Sequence, residues 1–203
     1  MKTCTIIGKT SVGKTVFFIN FTNYLGVTHF EVECTDINGS KTKKKLNYKQ
    51  AMSKLVDDKP HKTRCIQSLN VNLPMGKGKK KIQIIDTAGL LDGIHPDGDI
   101  RKAISQTLQV IRTSDVVLHI IDASAASDNS DLPSAMGEVD YQISQFAQLK
   151  KGYVILANKM DLNNAYQGLK KIKEEFRGNF IIPISALYKK GFKEVKTFVI
   201  HNI

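Results

Sequence analysis

Apolar positions recur along this chain in two distinct patterns. Short apolar runs have the length of buried strands: Cys4-Thr5-Ile6-Ile7, Ile82-Gln83-Ile84-Ile85, Val116 to Ile121, Val154-Ile155-Leu156-Ala157 and Phe180-Ile181-Ile182-Pro183-Ile184. Between them lie stripes at helical spacing: Phe17, Phe21 and Leu25; Ile104, Leu108 and Ile111; Phe192, Val195 and Val199. These stripes read as core faces. A further strand carries Cys65, Leu69, Val71 and Leu73 on one face, and Pro74-Met75-Gly76-Lys77-Gly78 turns it into the strand ending at Asp86. Strand and helix patterns alternate, which predicts an α/β fold. The expected sheet is mainly parallel and six-stranded, with helices on both faces and one antiparallel hairpin strand.

Residues 26–62 exceed what a lean fold of this kind needs. Phe30, Val32 and Cys34 alternate like a short strand, and Asp36-Ile37-Asn38-Gly39 reads as a turn. Asn47 is placed to cap a helix carrying Tyr48, Met52 and Leu55. The segment reads as a lid, a partner-binding element or a long loop.

The first apolar run leads into Gly8-Lys9-Thr10-Ser11-Val12-Gly13-Lys14-Thr15, followed by Val16 and a helix pattern. Strand, glycine-containing loop and helix in that order form a phosphate cradle. Gly8 and Gly13 permit a tight turn, so successive N–H groups can face a polyphosphate. The helix N-terminus adds free N–H groups and partial positive charge. Lys14 suits β- and γ-phosphates, and the Thr15 hydroxyl suits Mg2+. A glycine turn with a chance lysine is the plainer reading, which the spacing and flanks disfavour.

Three later segments extend the site. A strand ends at Asp86, whose carboxylate can hold magnesium through a water. Gly89 follows, with an N–H for a γ-phosphate and no side chain to block approach. Asn158-Lys159-Met160-Asp161 closes another apolar run, at the strand edge where ligands gather in open α/β sheets. Asp161 can accept from both guanine donors, N1–H and N2–H2, in charge-assisted bonds. Adenine has no matching donor pair. Asn158 can tie the loop or meet N7, and the Lys159 stem can lie along the base. Asn and Asp also start helices, which is the alternative for this tetrapeptide. Ser185-Ala186-Leu187 lies one β-α unit further on, where the Ala186 N–H can meet guanine O6.

These motifs, in this order, resemble the motif set of small GTPases, and the match runs from Lys2 to about Phe198. The resemblance implies a P-loop NTPase G domain, with residues 1–203 a single GTP-binding domain carrying the 26–62 insert. It implies GTP and GDP as substrate and product, with Mg2+ as cofactor. It assigns phosphates and metal to Gly13, Lys14, Thr15, Asp86 and Gly89, and guanine to Asn158, Lys159, Asp161, Ser185 and Ala186. After Asp86-Thr87-Ala88-Gly89 the chain carries Leu90, where Ras-like proteins have a water-orienting glutamine. Era-like GTPases, in the translation-factor-related class, also have a hydrophobic residue there, and Lys62-Thr63-Arg64 resembles their first switch. The resemblance therefore implies slow intrinsic hydrolysis, at or below about 10⁻⁴–10⁻² s⁻¹, with a partner supplying the missing group. Of Thr28, Thr35, Thr42 and Thr63, the last precedes the hairpin strand and is assigned to the metal and to catalysis with Lys14 and Gly89. Ser11 stands where Era-like proteins usually have an asparagine, so a K+ ion beside the phosphates has only a short hydroxyl to meet. An ATPase or kinase shares the phosphate loop, and Asp161 argues against it.

The remaining composition narrows the partners. The formal net charge is +11, concentrated at Lys41, Lys43, Lys44 and Lys45 and at Lys77, Lys79, Lys80 and Lys81. Such clusters bind RNA, a ribosome or an acidic membrane surface by counterion release; they also serve as solvated, edge-protecting lysines. At 203 residues and 41% hydrophobic the chain can bury a full core. Cys4, Cys34 and Cys65 have no metal spacing and their odd number disfavours a disulfide framework. A phosphate loop starting at Gly8 leaves no room for an apolar leader, and Val116 to Ile121, interrupted by His119, is too short to span a bilayer. Cytoplasm is the expected compartment.

Overall fold

The computed structural model describes residues 1–56, 65–76, 78–90, 98–127 and 136–203, the side chains of 99 and 100 aside. Lys62, Thr63, Arg64 and Lys77 lie outside the described residues. In chain order the elements are β1 (Lys2–Ile7), α1 (Lys14–Tyr24), β2 (His29–Thr35), β3 (Lys41–Asn47), α2 (Tyr48–Leu55), β4 (Ile66–Met75) and β5 (Gly78–Asp86). They continue as α3 (Gly98–Thr113), β6 (Val116–Asp122), α4 (Glu138–Ala147), β7 (Tyr153–Asn158), α5 (Ala165–Glu175), β8 (Ile181–Pro183) and α6 (Phe192–Asn202).

The described strands form one mixed sheet of eight, ordered β3-β2-β4-β5-β1-β6-β7-β8. The expected count of six, with one antiparallel strand, is corrected on two points. Strands β5, β1, β6, β7 and β8 are parallel, whereas β2, β3 and β4 run antiparallel to their neighbours. The extra strands come from the insert. Strand β2 shows the alternation expected of Phe30, Val32 and Cys34, all buried. Strand β3, Lys-Thr-Lys-Lys-Lys-Leu-Asn, has almost no apolar signal and is exposed except at Leu46. It forms because β2 offers a ladder of backbone partners, and because Glu33 and Glu31 lie opposite its lysines. Lys41 and Lys45 reach those carboxylates at 3.0 Å each. Exposed ion pairs stabilise little, so the ladder and the Leu46 contact dominate. The lysines mask an open sheet edge.

The expected α2 cap and the β4–β5 pairing are present. Asn47 caps α2 through a capping box: its Oδ1 accepts from Gln50 N–H at 2.9 Å, and Gln50 Oε1 accepts from Asn47 N–H at 3.0 Å. Strand β4 continues through Pro74 and Met75, so the turn is shorter than the sequence suggests, with Gly76 at φ 54°. On one sheet face, α1, α2 and α6 cover a core in which Phe17 packs on Phe21 and Phe192 at centroid distances of 5.0 and 5.2 Å. On the other, Ile111, Ile121, Ile143, Ile155 and Ile172 pack under α3, α4 and α5. His119, which breaks the apolar run of β6, is buried and satisfied. Its Nδ1 meets Tyr153 Oη at 2.9 Å and its Nε2 meets Asp140 Oδ1 at 3.0 Å.

One helix stripe is misread from sequence. Leu108 is 47% exposed. The buried side of α3 is Ala103, Thr107 and Ile111, with Ile104 at its margin. Thr107 can face the core because its hydroxyl donates to the Ala103 carbonyl at 3.0 Å, which removes the polar penalty. Ile111→Ala should therefore destabilise by about 2–5 kcal/mol, whereas Leu108→Ala should stay within about 0.5 kcal/mol. Urea denaturation of the two variants checks this ordering.

Candidate nucleotide-binding site

Strands β1, β5, β6 and β7 end at one edge of the sheet, and the loops leaving them converge there. Backbone conformation shapes the first loop. Gly8 and Gly13 have φ of 143° and 97°. A Cβ at Gly8 would sit 2.3 Å from the Ile120 carbonyl oxygen, and one at Gly13 would sit 2.5 Å from Asn158 Nδ2. Both positions thus need glycine for conformation and for space. Helix α1 starts directly, with Phe17 N–H donating to the Gly13 carbonyl at 2.9 Å.

Lys14 is buried, and its Nζ donates to the Lys9 carbonyl at 2.5 Å. The amine thus curls over its own loop, where phosphate oxygens would compete for it. Burial pushes its pKa down to about 8, against the pull of Asp86. Thr15 Oγ1 donates to Asp86 Oδ2 at 2.7 Å. Asp86 is fully buried, and burial pushes its carboxyl up to about 6 although Lys14 and Thr15 favour the charged form. Its Oδ1 has no hydrogen-bond partner among the described residues. A buried, half-satisfied carboxylate beside a hydroxyl is a donor set that suits a hard divalent cation. Among the described residues there is no cluster of three or more His, Cys, Asp or Glu that could hold a metal.

The loop after β5 lies against the phosphate loop. A Cβ on Gly89 would come within 2.6 Å of the Thr10 methyl and 2.8 Å of Thr10 Cα. Leu90 N–H donates to the Gly8 carbonyl at 3.1 Å, and Thr10 N–H donates to the Leu90 carbonyl at 3.3 Å. The Leu90 side chain is 2% exposed and packs into the core under α3–α5. Ser11, at φ 61°, is exposed on the loop's outer lip.

Asn158 joins the loops. Its Nδ2 donates to the Val12 carbonyl at 2.8 Å, and its Oδ1 accepts from Ala186 N–H at 2.8 Å. Asp161 Oδ1 accepts from Ser185 Oγ at 2.5 Å, which holds this carboxylate beside the Ser185–Leu187 loop. Lys159 has φ 65°, an uncommon backbone state, and its Nζ pairs with Asp122 Oδ2 at 2.5 Å. The sequence-named residues of the phosphate loop, Asp86, Gly89, Asn158–Asp161 and Ser185–Leu187 thus share one sheet edge; Thr63 lies outside the described residues. Sequence reasoning missed Asp122, although it ends β6 at the same edge as Asp86 ends β5. It also missed Asn20, which is buried within α1 and donates through Nδ2 to the Ala186 carbonyl at 2.8 Å. An asparagine inside an apolar helix was the available signal.

A raised carboxyl pKa gives a signed prediction for nucleotide-free protein. The stabilising contribution of protonated Asp86 is fully present below the ordinary carboxylate value of 3.8 and is lost as pH rises through about 6. Asp86→Asn removes the titration, so its Tm relative to wild type should rise between pH 4.5 and 7. A pH-independent difference in thermal scans would contradict the burial argument.

Comparison with known proteins gives the family and the fold. Residues 3–159 match the family described as 50S ribosome-binding GTPase. GTPase Der of Buchnera aphidicola subsp. Acyrthosiphon pisum is 37% identical over 139 residues, which is 63% of this chain and 29% of that protein. GTPase Obg of Shouchella clausii is 30% identical over 117 residues, 54% of this chain and 26% of its own length. The chain thus spans under a third of these curated relatives. Two solved structures share the fold at low identity. Era with MgGDPNP and nucleotides 1506–1542 of 16S ribosomal RNA gives a TM-score of 0.67 at 21% identity, covering 99% of this chain and 56% of that one. The FeoB G-domain from Methanococcus jannaschii gives 0.53 at 20% identity, covering 98% and 96%.

Proposed function

The chain belongs to the 50S ribosome-binding GTPase family, and we propose that it binds and hydrolyses GTP as a switch. The supporting observation is Asn158, whose one amide holds the phosphate loop at Val12 and the base loop at Ala186. A polyphosphate cradle and a base-edge acceptor are thereby kept at fixed separation, as a nucleoside triphosphate requires. In this reading Gly8–Val16 and Gly89 cradle the phosphates, and Asn158, Lys159, Asp161, Ser185, Ala186 and Leu187 enclose guanine.

Lys14 remains mostly protonated near neutral pH, since its pKa is about 8. Its ammonium and the loop N–H groups stabilise charge on the transferring phosphoryl group. Thr15, Asp86 and Thr63 would hold Mg2+, which when bound neutralises charge on the β- and γ-phosphates. Gly89 offers its N–H to the γ-phosphate, and loss of that contact after hydrolysis is the signal of the switch. Leu90 has no donor or acceptor in its side chain and is buried, so it orients no water. That supports slow intrinsic turnover, completion by a partner and an Era-like branch. A K+ ion beside Ser11 is a subsidiary element.

We further propose that residues 1–203 act as one G domain in the cytoplasm, with 26–62 as its insert. No helix among the described residues is long and apolar enough to cross a membrane. The lysines of β3 and of the β4–β5 hairpin are the proposed contact with RNA or a ribosome. The Era structure with ribosomal RNA supports that partner class.

Two experiments test the reading. Asp161→Asn should weaken GDP binding and shift preference toward xanthosine diphosphate, whose extra carbonyl suits an amide donor. An unchanged preference in a competition assay would move the base site elsewhere. The buried Leu90 favours a second reading, a guanine-nucleotide interaction module with negligible hydrolysis. Single-turnover measurement with GTP separates the two. Slow but measurable phosphate release supports the switch, and none above the uncatalysed rate, alone or with ribosomes, supports the module.

A further inference from the structure

The base loop is held from the insert side as well. Ala186 uses its N–H on Asn158 and its carbonyl on Asn20, so both ends of this one residue are fixed by buried amides. Asn20 is 1% exposed and lies on α1, between the loop and helix α2 of the insert. Its amide has two possible orientations. Tyr48 Oη resolves them, donating to Asn20 Oδ1 at 2.7 Å, so that Nδ2 faces the Ala186 carbonyl. Tyr48 sits at the start of α2, immediately after its Asn47 cap, and Ala51 and Leu55 bury the same helix against the core.

A second contact repeats the link at the far end of the loop. Lys189, at φ 57°, donates from Nζ to Asn23 Oδ1 at 2.8 Å, and the same ammonium lies 5.2 Å from the Tyr48 ring centroid. One tyrosine therefore meets the base loop twice, through its hydroxyl by way of Asn20 and through its ring at Lys189.

The geometry points to Tyr48 and Asn20 as positioning residues for guanine recognition: the insert helix, through the Ala186 carbonyl, holds the Ser185–Leu187 loop against the base site and slows nucleotide release. This rests on the guanine-site reading above and adds the part of the chain that regulates it. The relay is a chain of directional contacts, Tyr48 to Asn20 to Ala186 to Asn158 to Val12. It crosses from the insert through the base loop to the phosphate loop. A displacement of α2 removes the donor that orients Asn20, so the insert becomes a handle on nucleotide exchange.

The test uses the full chain loaded with GDP or 6-thio-GDP. The latter keeps both base donors and replaces O6 by sulfur, a poorer acceptor. Tyr48→Phe retains the ring and removes the hydroxyl. GDP should dissociate about three- to tenfold faster, as expected for one hydrogen bond in a buried network. The preference for GDP over 6-thio-GDP should shrink, while Tm falls by only a few degrees. Asn20→Ala should do the same more strongly; if that variant fails to fold, Tyr48→Phe carries the test alone. Equal acceleration for both nucleotides, with the preference unchanged, would mean a merely structural role and would overturn the proposal. Unchanged rates and preference would overturn it too. Failure of wild-type protein to bind GDP overturns the guanine-site reading itself, and is told apart because it needs no variant.

Discussion

The amide of Asn158 is the contact on which the rest of the site depends. Two loops distant in sequence, Gly8–Thr15 and Ser185–Leu187, meet only because one side chain donates to Val12 and accepts from Ala186. The approach is possible because residue 13 has no Cβ; an added carbon would lie 2.5 Å from that amide nitrogen. An alanine there would push apart the phosphate and base halves. Asn158 is itself buried at the end of a fully buried strand, so its orientation is inherited from the sheet. A site built this way is pre-organised by packing rather than by the ligand.

Charge at the phosphate end follows from the same burial. Lys14 and Asp86 are both removed from water, and each is displaced toward its neutral form. Each is only partly compensated: the ammonium by a backbone carbonyl, the carboxylate by one hydroxyl, with Asp86 Oδ1 left over. Groups held in that condition favour a ligand bringing both anionic oxygens and a cation. The site is thus a source of instability that nucleotide binding, in the proposed reading, relieves. Leu90 contributes in a different way. Its backbone zips the loop after β5 to the phosphate loop, while its side chain leaves the solvent side for the core.

The insert changes the sheet and, through it, the surroundings of the site. By adding β2 and β3 beside β4, it widens a mainly parallel sheet with an antiparallel, lysine-rich edge. The outer ends of that extension are polar and masked by Glu–Lys pairs, whereas its inner side joins the main core at Phe30, Val32 and Leu46. Helix α2 closes the inner side and rests on α1, the helix that the phosphate loop opens. Insert and nucleotide site are therefore packed on the two sides of one element.

Much of this was determined by residue order alone. Glycine at 8 and 13, an acid at 86 ending a strand, and Asn158 with Asp161 ending another are local patterns, and each has a local physical meaning. The helix stripes of α1 and α6 and the Asn47 cap were equally legible, because periodicity and capping act over a few residues. Other features had no local signature. Strand β3 exists because β2 offers it a ladder; its lysine-rich sequence argues for no strand. Thr107 faces the core and Leu108 faces water because Ala103 and Ile111 set the rotation of α3. Asn20 reaches the base loop across 166 positions of sequence, and Tyr48 reaches Asn20 across 28. Only the folded chain decides such contacts, since a hydrogen bond between distant segments depends on where packing puts them and not on which residues stand beside them.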